Sequence, residues 1–332
     1  MSIVSVVLLG ILLYLLRMSN EQIYRSPRFL FIFFPIGHLA VDWVGGALLL
    51  LASVMALEMN WSAGQLGLLF TVMQFGIGPS AVCAGLLGDR VRRRGIILLS
   101  AFWWVTIGYV AASFAPGYWS ILIVLTLATA GVSAWHPIAT GIMVEQMEHR
   151  KAQALGVHAI GGGLSDVLAP LSAGFLLSYL SWQSVLQLSV LPPMLVGIFL
   201  IWWWRRIPES RERAISRSDL WTMWLAWKTR LGLVVFLMAV TYTMAYVALA
   251  AMTPLFLLRE HTYSSSYTGV IFAGMLAGGA LISPFFGRAS DVLGRRIIVV
   301  LGLTFSGCAA LVAGFANEGI VLIGALVIAG TF

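Results

Sequence analysis

The amino-acid sequence predicts an all-α protein that crosses a membrane several times, and its composition, its apolar runs and its loop charges all indicate this. The chain has 332 residues, of which 60% are hydrophobic and only 10% are charged. Soluble domains carry about 25% charged residues, so a soluble body of this size would lack the polar side chains to cover its surface. Two cysteines within apolar stretches exclude a disulfide-stabilised scaffold, and the apolar excess excludes a disordered chain.

Continuous apolar runs divide the sequence into nine complete membrane spans and a tenth that ends with the chain. A helix needs about 20 apolar residues to cross the hydrocarbon core of a bilayer. The runs lack the two-residue alternation of a membrane β-barrel, so helices are the expected spanning elements. The expected spans are 30–57, 62–86, 95–114, 118–146, 152–180, 183–204, 231–258, 266–287, 296–315 and 318–332.

The basic residues alternate between the two sides of these spans and predict the orientation of the chain. Of 20 Lys and Arg residues, 19 fall in loops on one side, and Arg259 alone falls on the other. Cytoplasmic loops carry the excess of Lys and Arg, which places the 19 residues in the cytoplasm. The basic excess therefore indicates topology and no nucleic-acid partner. We expect a monomeric multi-pass protein of a bacterial cytoplasmic membrane.

Two segments lie outside the spans, and each has two interpretations. Residues 1–29 form an N-terminal extension whose first 16 residues are apolar but have no preceding basic residue. They are either an accessory anchor or sequence upstream of the native start. Residues 205–230 form the longest loop, a cytoplasmic linker with a tryptophan-rich second half. That second half, 220–227, is either a helix in the membrane interface or an early start of the seventh span.

A repeated sequence pattern divides the chain into two halves. "GLLGDRVRRRG" follows the second span, and "GRASDVLGRR" follows the eighth. Each copy has a glycine four residues before an aspartate and a basic pair four or five residues after it, and Asp89 and Asp291 are 202 residues apart. This interval equals a six-helix half plus a linker, so we expect a six-helix bundle at 30–204 and a partial bundle of helices 7–10 at 231–332.

The repeated pattern resembles the signature between helices two and three of the major facilitator superfamily of transporters. The matching residues are Gly85, Leu87, Asp89, Arg90, Arg93 and Arg94 in the first copy and Gly287, Asp291, Gly294, Arg295 and Arg296 in the second. Arg92 replaces the second glycine of the signature. The resemblance implies a two-bundle fold, alternating access and a cytoplasmic gate built from these charges; a topogenic stop signal is the alternative role. A complete second half would require about 60–80 residues beyond Phe332.

Three spans carry a closer resemblance. "GHLAVDWVGGALLLL" in the first, "AWHPIATG" in the fourth and "GGGLSDVLAPLSAG" in the fifth are similar to the fosmidomycin-resistance-type branch of that superfamily. The fifth span also resembles a glycine-rich antiporter signature, although simple close packing of helices explains the same small residues. The residues at its specified positions are Gly156, Ser165, Ala169, Pro170, Ala173 and Gly174. The fourth span lacks the arginine that many proton-coupled relatives carry there.

Few ionisable residues lie within the spans, and each is a candidate functional residue because a charge at the centre of a bilayer costs about 2.5–3.5 kcal/mol. His38 and Asp42 are four residues apart on one face of the first span, where they can share a proton. His158 and Asp166 lie on roughly one face of the fifth span, and the fourth span has His136. Neutral hydrogen-bonding groups come from Gln74, Tyr242 and Tyr246.

These residues predict a transport function. The resemblance places helices one, four and seven along the central path, so the side chains of His38, Asp42, His136 and Tyr242 are expected to converge on one cavity. We expect that cavity to bind a small-molecule substrate and protons; packed, hydrogen-bonded structural roles are the alternative. Because no Lys or Arg lies deep in a span, a neutral or cationic substrate is favoured over a strongly anionic one.

The leading interpretation is a secondary transporter that exports an organic compound in exchange for protons. The alternatives are proton-linked uptake of an organic metabolite and a sensor or inactive truncated transporter. The sequence has none of the motifs typical of serine hydrolases, zinc peptidases or nucleotide-binding loops. We therefore expect no enzymatic activity, no cofactor and no metal ion.

Overall fold

The structure, a computed structural model, describes residues 27–209 and 216–331. Twelve α-helices and two short 3₁₀ helices, Glu148–Arg150 and Trp204–Arg206, make up the described chain. The α-helices are α1 Pro27–Glu58, α2 Ala63–Arg90, α3 Arg94–Ser113, α4 Tyr118–Gln146, α5 Lys151–Leu176, α6 Trp182–Ser189, α7 Leu191–Trp203, α8 Arg217–Trp227, α9 Arg230–Arg259, α10 Ser265–Leu293, α11 Arg295–Phe315 and α12 Ile320–Thr331. The apolar N-terminal segment and residues 210–215 of the linker lie outside the described residues.

The predicted all-α membrane fold is confirmed. Within the described residues, nine helical segments are long and apolar enough to cross a membrane, with α6 and α7 together forming one segment. A shorter apolar helix, α12, follows them. Loops rich in Arg and Lys follow every second long helix, which places these loops at one end of a bundle of antiparallel neighbours. We call this the basic end, and the end where α1 meets α2 the opposite end.

Some helix boundaries differ from the predicted spans. α2 continues to Arg90 and α10 to Leu293, so each repeated motif begins inside the last turns of a helix rather than after it. The predicted sixth span divides into two helices at Val190. Pro192 and Pro193, in the first turn of α7, have no N–H group to donate to an earlier turn, which interrupts the helix.

The linker contains a separate helix, α8, and this contradicts the interpretation of residues 220–227 as an early start of the seventh span. The next helix, α9, has its own N-terminal cap, because the Thr229 hydroxyl accepts a hydrogen bond from the Gly232 N–H at 3.0 Å. A side chain at position 232 would collide with the Ala226 carbonyl oxygen. Glycine there allows the chain to turn sharply between α8 and α9.

The first group of helices, α1 to α7, packs around a core of large aromatic side chains. Phe34, Phe102, Tyr109 and Trp135 are all completely buried. The Trp135 ring lies with its centroid 5.1 Å from Phe102 and 5.7 Å from Phe34. Because His136 directly follows Trp135, this packing fixes the position of α4 against α1 and holds the candidate site described below.

The second group, α9 to α12, contacts the first at the opposite end of the bundle. α5 crosses α10 closely at two glycines: a Cβ added at Gly174 would lie 2.7 Å from the Ser265 carbonyl oxygen and 3.0 Å from the Gly269 Cα. Ala251 and Leu255 of α9 pack into the core of the first group. These small and apolar residues let the two groups approach at backbone distance.

Hydrogen bonds strengthen this contact between the groups. The hydroxyls of Ser178 and Ser266 share a hydrogen bond, and Ser266 also donates to the Gly174 carbonyl at 3.2 Å. Arg259, the basic residue outside the basic end, donates from Nη2 to the Trp61 carbonyl at 3.0 Å. All of these bonds join the first group to the second near the loops of the opposite end.

Candidate functional site

The centre of the site is a histidine and a carboxylate on α1 that share a hydrogen bond. His38 and Asp42 are one helical turn apart, and His38 Nε2 lies 3.0 Å from Asp42 Oδ2. His38 Nδ1 lies 2.8 Å from the backbone carbonyl oxygen of His158 on α5. Because a carbonyl only accepts, Nδ1 carries a hydrogen and donates it. The nitrogen that gains or loses a proton is therefore Nε2, which faces the carboxylate.

A second histidine approaches the other oxygen of the same carboxylate. His136 Nε2, from α4, lies 3.4 Å from Asp42 Oδ1, and its ring meets the His38 ring edge to face at 5.1 Å. The His136 side chain is 40% exposed, whereas those of His38 and Asp42 are 13% and 22% exposed. Asp42 thus lies between one sheltered and one accessible imidazole.

A third histidine stacks on the first. The His158 ring lies parallel to the His38 ring, with centroids 4.1 Å apart and an interplanar angle of 15°. His158 is 4% exposed, and neither ring nitrogen has a hydrogen-bond partner among the described residues. The sequence places His158 and Asp166 on roughly one face of the fifth span and does not indicate which helix that face contacts. The structure places the His158 ring against α1.

Two glycines of α5 make this stacking possible. A Cβ at Gly161 would collide with the Pro35 carbonyl oxygen, and a Cβ at Gly162 would lie 2.7 Å from His38 Cε1. Without side chains at these positions, the backbone of α5 comes close enough to α1 to accept the His38 Nδ1 hydrogen. The run of three glycines in the sequence was the available signal for this contact.

The other predicted site residues differ in how they relate to the histidine cluster. Asp166 is half-buried and near enough to His38 and Asp42 for electrostatic interaction, yet it makes no hydrogen bond to a described residue. Tyr246 of α9 interacts electrostatically with Asp166, and its ring lies parallel to the Tyr242 ring at 6.3 Å. Both tyrosines are exposed. Gln74 is half-buried on α2, without a described contact to the histidines.

The three histidines lie close enough together to be considered as ligands of a metal ion. Their closest ring nitrogens lie within 4.8 Å of one another. Zinc–nitrogen bonds are about 2.0–2.1 Å long and must point from each ligand to a common centre. The parallel rings of His38 and His158 direct their in-plane lone pairs side by side, so they do not converge on one ion. We assign no metal to this site.

Arg94, predicted as a gate residue of the first repeat, forms a buried ion pair at the basic end. Arg94 of α3 donates from Nη1 to Glu145 Oε1 at 2.6 Å and from Nε to the Gly88 carbonyl at 3.0 Å. Its Nη2 lies 3.7 Å from Asp89 Oδ1, and the arginine side chain is 4% exposed. Sequence reasoning identified Asp89 and Arg94 but missed Glu145, the acidic residue inside the predicted fourth span.

Most of the other residues of the predicted gate lie on the surface. Arg93 Nε lies 3.8 Å from Glu209 Oε1, and Arg90 is exposed. Gly85 is half-buried, and a Cβ added there would lie 3.6 Å from the Pro137 Cβ. In the second copy, Gly294 caps α10 with a φ of 92°, which favours glycine. The remaining residues of that copy, Gly287, Asp291, Arg295 and Arg296, are exposed. No ion pair joins the two copies within residues 27–209 and 216–331.

The small residues of α5 face two different helices. Ser165, Ala169, Pro170, Ala173 and Gly174 are buried. A Cβ at Gly46 of α1 would lie 3.2 Å from both the Ser165 carbonyl oxygen and the Ala169 Cβ, so this face packs on α1. Gly174 instead forms the crossing with α10 described above. Gly156 is exposed with open space around it, so it takes no part in close packing.

Comparison with known proteins identifies related folds. The family model described as "Major Facilitator Superfamily" matches residues 34–332. The structure is similar to that of a bacterial homologue of the human lysosomal transporter Spinster in an inward-facing, unoccupied conformation, with a TM-score of 0.78 and 18% identity over 95% of this chain and 73% of that one. The nucleoside transporter NupG has a TM-score of 0.72 and 12% identity over 91% of this chain and 79% of that one.

Two curated relatives share part of the sequence. An "Uncharacterized MFS-type transporter YwoD" from Bacillus subtilis is 27% identical over 117 residues, which are 35% of this chain and 25% of that protein. A "Probable 4-methylmuconolactone transporter" from Cupriavidus pinatubonensis is 30% identical over 118 residues, or 34% of this chain and 27% of that protein. The chain therefore matches about a quarter of the length of each.

Proposed function

We propose that this chain, which belongs to the Major Facilitator Superfamily and is a membrane transporter of that type, is a secondary transporter coupled to protons. It works by alternating access. Its coupling group is the carboxylate of Asp42 with the imidazoles of His38 and His136. The observation that supports this most directly is the position of one carboxylate within 3.4 Å of two histidine nitrogens.

The geometry suggests how protonation is linked to conformation. A proton reaches the accessible His136 first and is shared through Asp42 with the sheltered Nε2 of His38. Nδ1 of His38 is bonded to the His158 carbonyl, so the proton is held at one defined atom. Its arrival changes the net charge of a site enclosed by α1, α4 and α5. A change of charge in a low-dielectric interior alters the relative free energies of the two conformations.

Export of a neutral or cationic organic compound is the direction and substrate class that we propose. The two carboxylates of the site, on Asp42 and Asp166, favour a compound that can exchange with protons. The described basic residues lie near the ends of their helices or in loops, so none is available in the central region to hold a strongly anionic group. We place the basic end in the cytoplasm, because cytoplasmic loops carry the excess of Arg and Lys.

Uptake of an organic metabolite is the second candidate. The relative from Cupriavidus pinatubonensis supports it, because that protein is named a "Probable 4-methylmuconolactone transporter". The histidines of the site are compatible with it, because a protonated imidazole can hold the carboxylate of such a metabolite. The two candidates differ in the direction of substrate movement and share the same coupling residues.

Proton flux in membrane vesicles tests the proposal. In energised everted vesicles that contain a pH-sensitive dye, we expect ethidium to cause proton efflux, and Asp42→Asn to abolish that response. Glu58→Gln is the matched control, since Glu58 is an exposed carboxylate on the same helix, and it should leave the response unchanged. Accumulation of 4-methylmuconolactone by whole cells, driven by an inward proton gradient, would support uptake instead.

The coupling assignment is wrong if Asp42→Asn retains full proton movement with normal transport. A sensor is the better interpretation if a ligand binds the purified protein while no flux occurs in either direction.

A further inference from the structure

The short helix α8 exposes a face of tryptophans. Trp221, Trp224 and Trp227 follow one another at intervals of three residues, which places them within one face of a helix. They are 60%, 53% and 50% exposed. Thr222 lies on the other side of the helical turn. Three large indoles exposed together on one short helix mark a surface that contacts a membrane or another protein.

Basic side chains lie at the end of this face. The ammonium nitrogen of Lys228 lies 5.0 Å from the centroid of the Trp224 ring, in a cation–π contact. Arg230 begins α9 two residues later and is exposed. No carboxylate within residues 27–209 and 216–331 forms an ion pair with either residue. The end of the indole face is therefore positively charged.

The position of α8 is that of an element lying along a membrane surface. Its 11 residues extend over about 16 Å, far short of the roughly 30 Å hydrocarbon core. A sharp turn at residues 228–229, which Gly232 permits, separates it from the spanning helix α9. The first residues of α9 after the turn, Leu231 and Leu233, are exposed apolar side chains. The turn thus lies at the level where the chain enters the bilayer.

We infer that α8 lies in the membrane interface and that its indole face, with Lys228 and Arg230, binds the headgroups of anionic phospholipids. Indoles prefer the boundary between headgroups and acyl chains, and the two cations attract phosphate there. A protein partner would more often bury its aromatic contacts away from free charges, whereas both charges here border the apolar face. The inference does not depend on proton coupling or on the direction of transport.

Fluorescence quenching in nanodiscs tests this inference on the whole chain. In a Cys83→Ser, Cys308→Ser background, a fluorophore is attached at Trp221→Cys on the indole face or at Thr222→Cys on the other face. The discs contain phosphatidylcholine with or without phosphatidylglycerol. We expect a nitroxide-labelled lipid to quench the label at 221 and aqueous iodide to quench the label at 222. Phosphatidylglycerol should increase the lipid quenching at 221 severalfold.

Charge removal separates headgroup binding from simple burial. Lys228→Gln with Arg230→Gln should abolish the effect of phosphatidylglycerol. Arg150→Gln with Lys151→Gln, an exposed basic pair at the same end of the bundle, should leave it intact. The inference is overturned if the label at 221 is quenched by iodide as strongly as that at 222, or if lipid quenching is independent of phosphatidylglycerol. Protection of 221 from both quenchers would show a protein contact and also overturn it.

Discussion

The position of His38 depends on the absence of a side chain at residue 162. The imidazole is held by three neighbours: the Asp42 carboxylate, the stacked His158 ring and the backbone of α5 beside Gly162. Each contact involves a different part of the ring, so little rotation of the side chain is possible. A group added at any one of them must shift the Nε2 atom that faces the carboxylate.

Gly162→Ala is therefore expected to impair transport strongly, whereas Gly163→Ala is not. The new methyl group at 162 would lie 2.7–2.8 Å from His38 Cε1 and Nε2, while at 163 the nearest atom is the Ala280 Cβ at 3.8 Å. Both changes raise helix propensity equally. Substrate-induced proton flux in vesicles with matched amounts of protein measures the difference. Equal activity of the two variants would show that the His38 ring tolerates displacement.

Part of this site could be predicted from single residues. The spacing of four residues is sufficient to place His38 and Asp42 on one face of a helix, which is a local property. The stack of His158 on His38 depends on how α5 lies against α1; the run of glycines in α5 indicates that another helix can approach closely, but the spacing of residues within α5 does not show which helix it is. For the same reason Glu145, 51 residues from Arg94, was not identified as its partner.

At the scale of helices, one buried arginine joins three of them. Arg94 begins α3, and it bonds to the last turn of α2 through Gly88 and Asp89 and to the last turn of α4 through Glu145. The guanidinium is a planar donor with several N–H groups, which suits one residue to several acceptors. A single side chain thereby connects α2, α3 and α4 at the basic end.

Arg94→Gln should lower the stability of the protein clearly, and Arg92→Gln should not. Removing one partner of a buried ion pair costs roughly 3–5 kcal/mol, because the remaining carboxylate stays buried without compensation. Arg92 also pairs with a glutamate, Glu209, but its side chain is 82% exposed, and such pairs contribute about 0–1 kcal/mol. Thermal unfolding in detergent measures both. Similar melting temperatures for the two variants would contradict the structural role of Arg94.

The number and order of the long helices were predictable from the sequence, whereas the residues at which several of them end were not. The fourth span was expected at 118–146, and α4 has these bounds, because apolar length and flanking polar residues both mark its ends. α2 and α10 extend past their predicted ends through polar residues that contact neighbouring helices or remain exposed. The prolines at 192 and 193 divide the sixth span because they lack the N–H that would continue the helix. The division was not predicted, because the spans were assigned from apolar composition alone.

At the scale of the whole molecule, the hydrogen bonds and the closest backbone approach between the two helix groups lie at the opposite end among the described residues. The crossing of α5 and α10 and the hydrogen bonds of Ser178, Ser266 and Arg259 all lie there. The repeated motifs at the basic end form no ion pair with each other within the described residues. Alternating access requires the contacts at the opposite end to separate when that end opens.

A covalent link at this contact should therefore stop transport. In a Cys83→Ser, Cys308→Ser background, Ser178→Cys and Ser266→Cys place two thiols where the hydroxyls now share a hydrogen bond. We expect an oxidant to abolish substrate flux in the double variant and a reductant to restore it. Each single variant should keep its flux after oxidation. Full transport by the cross-linked protein would show that this contact stays closed throughout the cycle.

α10 meets α5 at two places, and this decides how the pair can open. The first is the crossing of Gly174 and Gly269, and the second is near Ala280, whose Cβ lies 3.8 Å from the position of a Cβ at Gly163. The two places are about 16 Å apart along α10. A tilt of α10 by about 10° around Ala280 would separate the helices at Gly269 by about 3 Å, which would break the serine hydrogen bonds at the opposite end while the contact beside the histidines is kept.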